Sequence, residues 1–280
     1  MTLISVIIPT YNCSDFLEKT LESLCHQSLA HDRFEVIVAD DGSSDNTKEL
    51  TFSFSQKLNI QYCYQQDQGF RAAKVRNLGL AQAKGEYILF LDSGVVLHAN
   101  SLQIHIDKIE EDTSCIHIGF CHGFEEHFVA KNKFSQLLAD NNFSELFIAL
   151  SAHNSNQDCR QKLLNEIGHI RGYEAYPWLF CWGGHLFGKA ASFRDITGFD
   201  ESFTHWGGED VELGLRLHKA GYQFKLVLEA MAYHIPHPKA ETANAEATHN
   251  NCHYIHAKHQ LPITGTMITK DWEDIIRSVG

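Results

Sequence analysis

Apolar positions in the first hundred residues alternate between short continuous runs and amphipathic stretches. Leu3–Ile8 is an apolar run ending at Pro9, the pattern of a strand buried on both faces. Leu17, Leu21 and Leu24 then fall on one helical face, with Asn12 or Ser14 as the candidate cap. Phe34–Ala39 reads as a second strand and runs into Asp40-Asp41-Gly42-Ser43-Ser44-Asp45, a turn followed by a helix start. Ile60–Tyr64 is the third strand, Ala72–Ala83 a helix with Gly85 beyond its end, and Tyr87–Leu91 the fourth strand. This β-α-β-α-β-α-β order predicts a parallel sheet with right-handed crossovers and helices on both faces. Such sheets bind ligands at the carboxyl ends of their strands. The polar groups Thr10-Tyr11-Asn12, Asp40-Asp41 and Asp92 fall at those ends.

The second half is less regular. A helix is expected after Asn100, a strand over Phe180–Phe187, and a helix over Asp210–Ala220 closed by Gly221. A short strand is expected over Lys225–Leu228 and a polar helix within 239–260. No Pro/Ser-rich linker and no internal repeat divides the chain. A single domain over 1–280 is therefore expected: a Rossmann-like nucleotide-binding half (1–97), an acceptor and catalytic half (98–238) and a helical extension (239–280).

Composition narrows the function. The net charge of −12 argues against a nucleic-acid partner, and it means that a bound diphosphate needs local neutralisation. No apolar run approaches the ~20 residues of a membrane span. The chain opens on a strand pattern rather than a basic, cleavable leader, so a cytoplasmic location is expected. The eight cysteines form no C-x-x-C pair and are expected as reduced, mostly buried thiols. No G-x-G-x-x-G follows the first strand, which argues against a dinucleotide oxidoreductase.

Several motifs occur in a telling order. Ser5-Val6-Ile7-Ile8-Pro9-Thr10-Tyr11-Asn12 and Val38-Ala39-Asp40-Asp41-Gly42-Ser43-Ser44-Asp45 come first. Arg76-Asn77-Leu78-Gly79-Leu80 and Gly85-Glu86-Tyr87 then lead to Asp92. Trp206-Gly207-Gly208-Glu209-Asp210-Val211-Glu212-Leu213-Gly214 and Ala230-Met231-Ala232-Tyr233-His234 follow. On these residues the chain resembles the inverting family-two glycosyltransferases of the GT-A fold, an α/β architecture with a mostly parallel central sheet flanked by helices. Its later half resembles the galactosyltransferase-type half also found in bacterial chondroitin polymerases and polypeptide N-acetylgalactosaminyltransferases. The resemblance covers roughly 3–97 and 178–238.

The resemblance implies a UDP-sugar-dependent hexosyltransferase acting on a glycan or peptide acceptor. Asp41 would accept a hydrogen bond from the uracil N–H, which a carboxylate suits, with Pro9, Thr10 and Tyr11 as the rest of that wall. Asp40, Asp41 and Asp45 suit a helix start equally well. Arg76 would meet the nucleotide or its phosphates, with Lys74 nearby; a rim salt bridge is the plainer role. Asp92 and Ser93 would head the acidic motif, but the family's Asp-x-Asp or Asp-x-His reads Asp92-Ser93-Gly94 here. A divalent ion would then be held by Asp92 and by His234 of Tyr233-His234-Ile235-Pro236-His237-Pro238, with His237 in reserve. The imidazole favours Mn²⁺ over Mg²⁺.

Asp210 would be the general base and Glu209 would bind sugar hydroxyls. Gly207 and Gly208 would lay backbone against the sugar, and Trp206 would stack on it. Trp182 and His185 are further candidates for sugar stacking, although Trp182 better suits the core. Glu209, Asp210 and Glu212 also simply favour a helix N-terminus. His249, His253, His256 and His259 recur at intervals of four, three and three, forming a helical stripe that suits a solvated or acceptor-facing surface better than a metal. The alternative function is a nucleotide-sugar-binding protein or partner subunit without transferase activity, which Gly94 favours.

Overall fold

A computed structural model of the chain describes residues 2–111, 115–123, 131–151, 157–168, 171–237 and 241–279. Pro238 of the last motif and residues 239–240 of the expected polar helix lie outside them. The first part runs β1 (Ile4–Thr10), α1 (Ser14–Cys25), β2 (Phe34–Asp40), α2 (Thr47–Ser53), β3 (Ile60–Tyr64), α3 (Ala72–Gln82) and β4 (Tyr87–Leu91). Then come β5 (Val95–Leu97), α4 (Ser101–Glu111), β6 (Cys115–Ile118), β7 (Cys121–His122), α5 (Lys131–Ala139), α6 (Phe143–Ser151), α7 (Cys159–Ile167) and α8 (Arg171–Ala175). The remainder is β8 (His185–Lys189), α9 (Ala190–Asp195), α10 (Glu209–Lys219), β9 (Gln223–Leu226), β10 (Ala232–His234), α11 (Glu241–His259), α12 (Pro262–Thr266) and α13 (Trp272–Arg277).

The main sheet has seven strands in the order β3-β2-β1-β4-β8-β6-β9. The β3-β2-β1-β4 half is parallel, as the alternation predicts. β8 joins it antiparallel to both β4 and β6, so the central sheet is mostly parallel, as expected. The expected strand over Phe180–Phe187 is corrected. Pro177–Phe180 is a 3-10 turn, and the strand begins only at His185. Phe180 and Cys181 are buried all the same. Short apolar runs mark burial without distinguishing a strand from a packed turn.

A three-stranded sheet, β5-β10-β7, lies beside the end of β4 and pairs Val95 with His234. Buried apolar side chains fill both faces of the main sheet, with Ile7, Ile37, Ile88 and Phe90 on one face and Val6, Ile8, Val36 and Leu89 on the other. Nonpolar burial from both sides explains why these strands read as near-continuous apolar runs.

The cap of α1 differs from expectation. Neither Asn12 nor Ser14 caps it. Asp45 Oδ2 accepts the Ser14 N–H at 3.0 Å, while Asp45 Oδ1 accepts the Thr47 N–H at 3.1 Å. One carboxylate thus serves two helix starts, a favourable place for negative charge. The cysteines carry no disulfide, but only Cys115, Cys121 and Cys181 are buried, so "mostly buried" is corrected to three of eight. Among the described residues no helix is long and apolar enough to cross a membrane.

Candidate active site

The carboxyl ends of β1, β2 and β4 converge with the start of α10. Arg76, on α3, is buried and splits its guanidinium between two carboxylates. One terminal nitrogen donates to Asp92 Oδ1 at 2.8 Å and the other to Glu209 Oε1 at 3.0 Å. Burial works against the charge, but Asp92 and Glu209 outweigh it and hold the guanidinium above its ordinary pKa. Arg76 takes only one oxygen of Asp92, whose side chain is 38% exposed. Glu209 Oε2 is buried and has no hydrogen-bond partner among the described residues. Such an acceptor is costly unless something satisfies it.

Asp210 sits beside this pair. Its Oδ2 accepts the Gly183 N–H at 2.9 Å and its Oδ1 accepts the Val211 N–H at 2.8 Å. Burial, then the charge of Glu209, pushes its pKa up to about 7, against the pull of the Gly183 N–H and of Arg76. Gly207 (φ 94°) and Gly208 (φ 89°) hold the preceding turn in the left-handed region, where a side chain is strained. Gly208 is the N-cap of α10.

The Asp-x-Asp departure has a local cause. Asp92-Ser93-Gly94-Val95 is a tight turn closed by the Val95 N–H on the Asp92 carbonyl at 3.0 Å. Gly94, its third residue, has φ 92°, as a type II turn requires. A Cβ there would also lie 3.4 Å from Phe16 Cβ. A carboxylate at 94 would need a different turn, so restoring the family's acid is not a simple substitution.

At the nucleotide wall Asp41 is buried, which raises its pKa. Its Oδ1 accepts from Gln65 Nε2 at 2.6 Å and its Oδ2 from the Arg71 N–H at 2.9 Å. Two lone-pair positions of the carboxylate remain. Asp40 is committed to its own turn, accepting from the Gly42 and Ser43 N–H groups and from Tyr62 OH. Tyr11 is half exposed and donates to Asp67 Oδ2 at 3.1 Å. Pro9 and Thr10 close β1, with Thr10 buried beside Cys13. Ser93 lies 3.4 Å from the Cys13 thiol.

Trp206 is 48% exposed beside a cavity of about 470 Å³ lined also by Asn244, Thr248, His249, Cys252 and Met267. Sequence reading missed Asn251 of α11, whose amide donates to the carbonyls of His205, Trp206 and Gly207 at 3.3, 3.2 and 2.6 Å. It also missed Gln65, Asp67 and Arg71. These follow β3, and the rule that polar groups gather at strand ends would have found them.

One candidate is corrected, and one takes its plainer role. His185 is buried, with its Nε2 2.9 Å from His105 Nε2, and presents no face to a sugar. Trp182 packs edge-on to Trp272 and lies under the Arg160 guanidinium at 4.3 Å. It is a packing residue.

His234 is buried on β10, and the next residue donates its N–H to the Gly94 carbonyl at 2.9 Å, so His234 adjoins the Asp92 turn. The His237 ring lies 5.2 Å from it. Among the described residues no three His, Cys, Asp or Glu side chains converge as a metal cage. The backbone pairing of His234 with Val95 and of Ile235 with Gly94 brings β10 beside the Asp92 turn, and an ion held by only Asp92 and His234 would need a shell completed mostly by phosphate and water.

Comparison with known proteins identifies the family. The family model described as glycosyl transferase family 2 matches residues 5–175, and that described as the N-terminal domain of galactosyltransferase matches 170–238. The chain is 33% identical over 258 residues to a validoxylamine A glucosyltransferase of Streptomyces hygroscopicus subsp. jinggangensis, covering 92% of this chain and 61% of that protein. It is 35% identical to a chondroitin synthase of Escherichia coli, covering 89% of this chain and 37% of that one. The chain thus spans less than two thirds of these relatives.

Among solved structures, S. aureus TarS 1–349 in complex with UDP-GlcNAc superposes with a TM-score of 0.64 at 21% identity, covering 92% of this chain and 66% of that one. A mannosyltransferase of Pyrobaculum calidifontis in complex with GDP-Man and Mn²⁺ gives 0.62 at 16%, covering 99% and 69%. With its mostly parallel sheet, its strand-end acids and a family match over more than half its length, this chain belongs to glycosyl transferase family 2 and has the GT-A fold.

Proposed function

We propose that the protein transfers a sugar from a UDP-sugar to a glycan or peptide hydroxyl with inversion, using Asp210 as general base. The observation that carries this reading is the ion-paired trio Asp92–Arg76–Glu209 set against Asp210, whose pKa of about 7 suits proton transfer near neutrality. The acceptor hydroxyl would approach opposite the diphosphate and lose its proton to Asp210. The unsatisfied Oε2 of Glu209 would take a hydroxyl hydrogen bond from donor or acceptor. Arg76 would face the charge that grows on the leaving diphosphate. Trp206 and Gly208 would bound the sugar, and Pro9, Thr10, Tyr11, Asp41 and Ser93 the nucleotide. UDP release from UDP-sugars, with and without acceptors, tests the whole reading. Binding without any UDP release would instead support a non-catalytic sugar-nucleotide-binding protein.

Uridine recognition rests on Asp41 and on Gln65, whose Oε1 is a buried acceptor without a partner among the described residues. Both suit the uracil N–H donor. Asp41→Ala is expected to weaken UDP binding by about tenfold to a hundredfold, the value of a hydrogen bond to a charged group of roughly 1.5–3 kcal/mol. Calorimetry with UDP and GDP checks this. Equal wild-type affinity for the two would sink the assignment.

Asp92 and His234 would hold a divalent cation with the donor diphosphate. That ion would supply positive charge to the leaving group. Transfer is expected to stop in chelator and to return best with Mn²⁺, since imidazole favours it over Mg²⁺. His234→Ala is expected to raise the metal concentration for half activity more than it changes acceptor KM. Full activity in chelator would overturn the cation's role.

A further inference from the structure

The histidine stripe of α11 divides into two pairs. His256 Nδ1 lies 3.1 Å from Thr264 Oγ1, and His259 Nε2 lies 3.0 Å from Glu212 Oε1, so these two are engaged with the body of the protein. His249 and His253 are exposed and face each other across one helical turn. Their Nε2 atoms are 3.2 Å apart and their ring planes stand at 82°. Two zinc–imidazole bonds of about 2.0–2.1 Å meeting at a tetrahedral angle hold their nitrogens about 3.3–3.4 Å apart. The pair therefore already has close to the bite of a metal chelate.

We propose that His249 and His253 form a two-nitrogen site for a borderline divalent ion of the zinc, nickel and copper class. Neutral imidazoles suit these ions, whereas Mg²⁺ prefers oxygen. Without an ion, one ring must donate its Nε2–H to the other. With an ion, both nitrogens become ligands, and two tetrahedral positions stay open to water or an anion. The transfer chemistry proposed above uses neither histidine, so this site stands apart from it.

The location gives the site a consequence. A clip across one turn of a helix stabilises the helical state, because the ion binds that state alone. The same helix carries Asn251, which holds the three carbonyls before Gly208, and Asn251 is buried one turn from the fully buried Ile255. His249 also lines the cavity beside Trp206. An ion on this pair thus stiffens the element that clamps the turn leading into Glu209 and Asp210.

The test uses the chelator-treated protein titrated with Zn²⁺ by calorimetry and by thermal unfolding, with Mg²⁺ as control. Zn²⁺ is expected to bind and raise Tm where Mg²⁺ does not. His249→Ala and His253→Ala are each expected to weaken zinc binding by about tenfold or more and to abolish the Tm rise. Both positions are exposed, so the metal-free Tm of each variant reports whether it folds normally. Amide exchange over 205–210 is expected to slow with Zn²⁺ in the wild type and not in His249→Ala. No zinc uptake at about 100 µM, or uptake that both variants retain unchanged, overturns the site. Exchange at the turn that ignores saturating Zn²⁺ overturns its link to the catalytic turn.

Discussion

Asp210→Asn is expected to lower sugar transfer by about 10²–10⁴-fold, the usual value of a general base, while UDP-sugar affinity changes little. The amide keeps the size of the carboxyl but has one oxygen where the carboxylate uses two, so it can accept only one of the Gly183 and Val211 N–H bonds, and the Tm of the variant reports whether the turn stays in place. What is lost is proton affinity. UDP release measures the rate and calorimetry the affinity. A variant that turns over at the wild-type rate places the base elsewhere, and one that no longer binds UDP-sugar makes Asp210 a binding residue.

The same carboxyl sets two pH dependences. A base works only when ionised, so the wild-type rate is expected to fall as pH drops through about 7. Stability runs the other way. The folded pKa lies above the unfolded value, near 3.9, so the native state holds the extra proton between those limits. Stability contributed by that proton is complete at low pH and is lost as pH rises through about 7. Asp210→Asn removes this loss, so its Tm relative to that of the wild type should be higher at pH 8 than at pH 5.

Arg76→Ala is expected to be the most destabilising single change in the site. It leaves Glu209 buried without its cation and places it near Asp92 and Asp210 with nothing between. Breaking a buried pair from one side costs about 3–5 kcal/mol, which for a chain of this size lowers Tm by roughly 6–20 °C. Arg76→Lys keeps the charge, but one ammonium cannot reproduce the fork that reaches both carboxylates. It is therefore expected to recover part of the Tm and little of the activity. Adding Glu209→Gln to Arg76→Ala should restore Tm, because the stranded charge is gone. If Arg76→Ala melts like the wild type, the Asp92–Arg76–Glu209 trio is not an energetic unit.

Much of the nucleotide half was legible before any coordinates. The ends of β1, β2, β3 and β4 differ from the sequence reading by two residues or fewer. The reason is local. Strands buried on both faces need uninterrupted apolar side chains, and the helices between them need a 3.6-residue period, so each leaves its mark on its own few residues. Asp41, Arg76, Asp92, Glu209 and Asp210 were picked out by motif. The structure brings Arg76, Asp92 and Glu209 into direct contact and sets Asp210 beside Glu209. The reading failed where an apolar run had no period to classify it, at Phe180–Phe187, and where a histidine's surroundings decided its role, at His185.

The sequence by itself determined the alternation of strands and helices, the polar strand ends and the glycines that the Asp92 and Trp206 turns require, because backbone preference and burial act residue by residue. Only the tertiary structure decided the antiparallel entry of β8, the Asp45 cap on α1 and the Asn251 clamp. It also decided the proton affinity of Asp210, which burial and then Glu209 raise against the pull of the Gly183 N–H and of Arg76. Such contacts join segments far apart in the chain. Their partners are selected by packing and by the need to satisfy buried polar groups, and no local pattern records that choice.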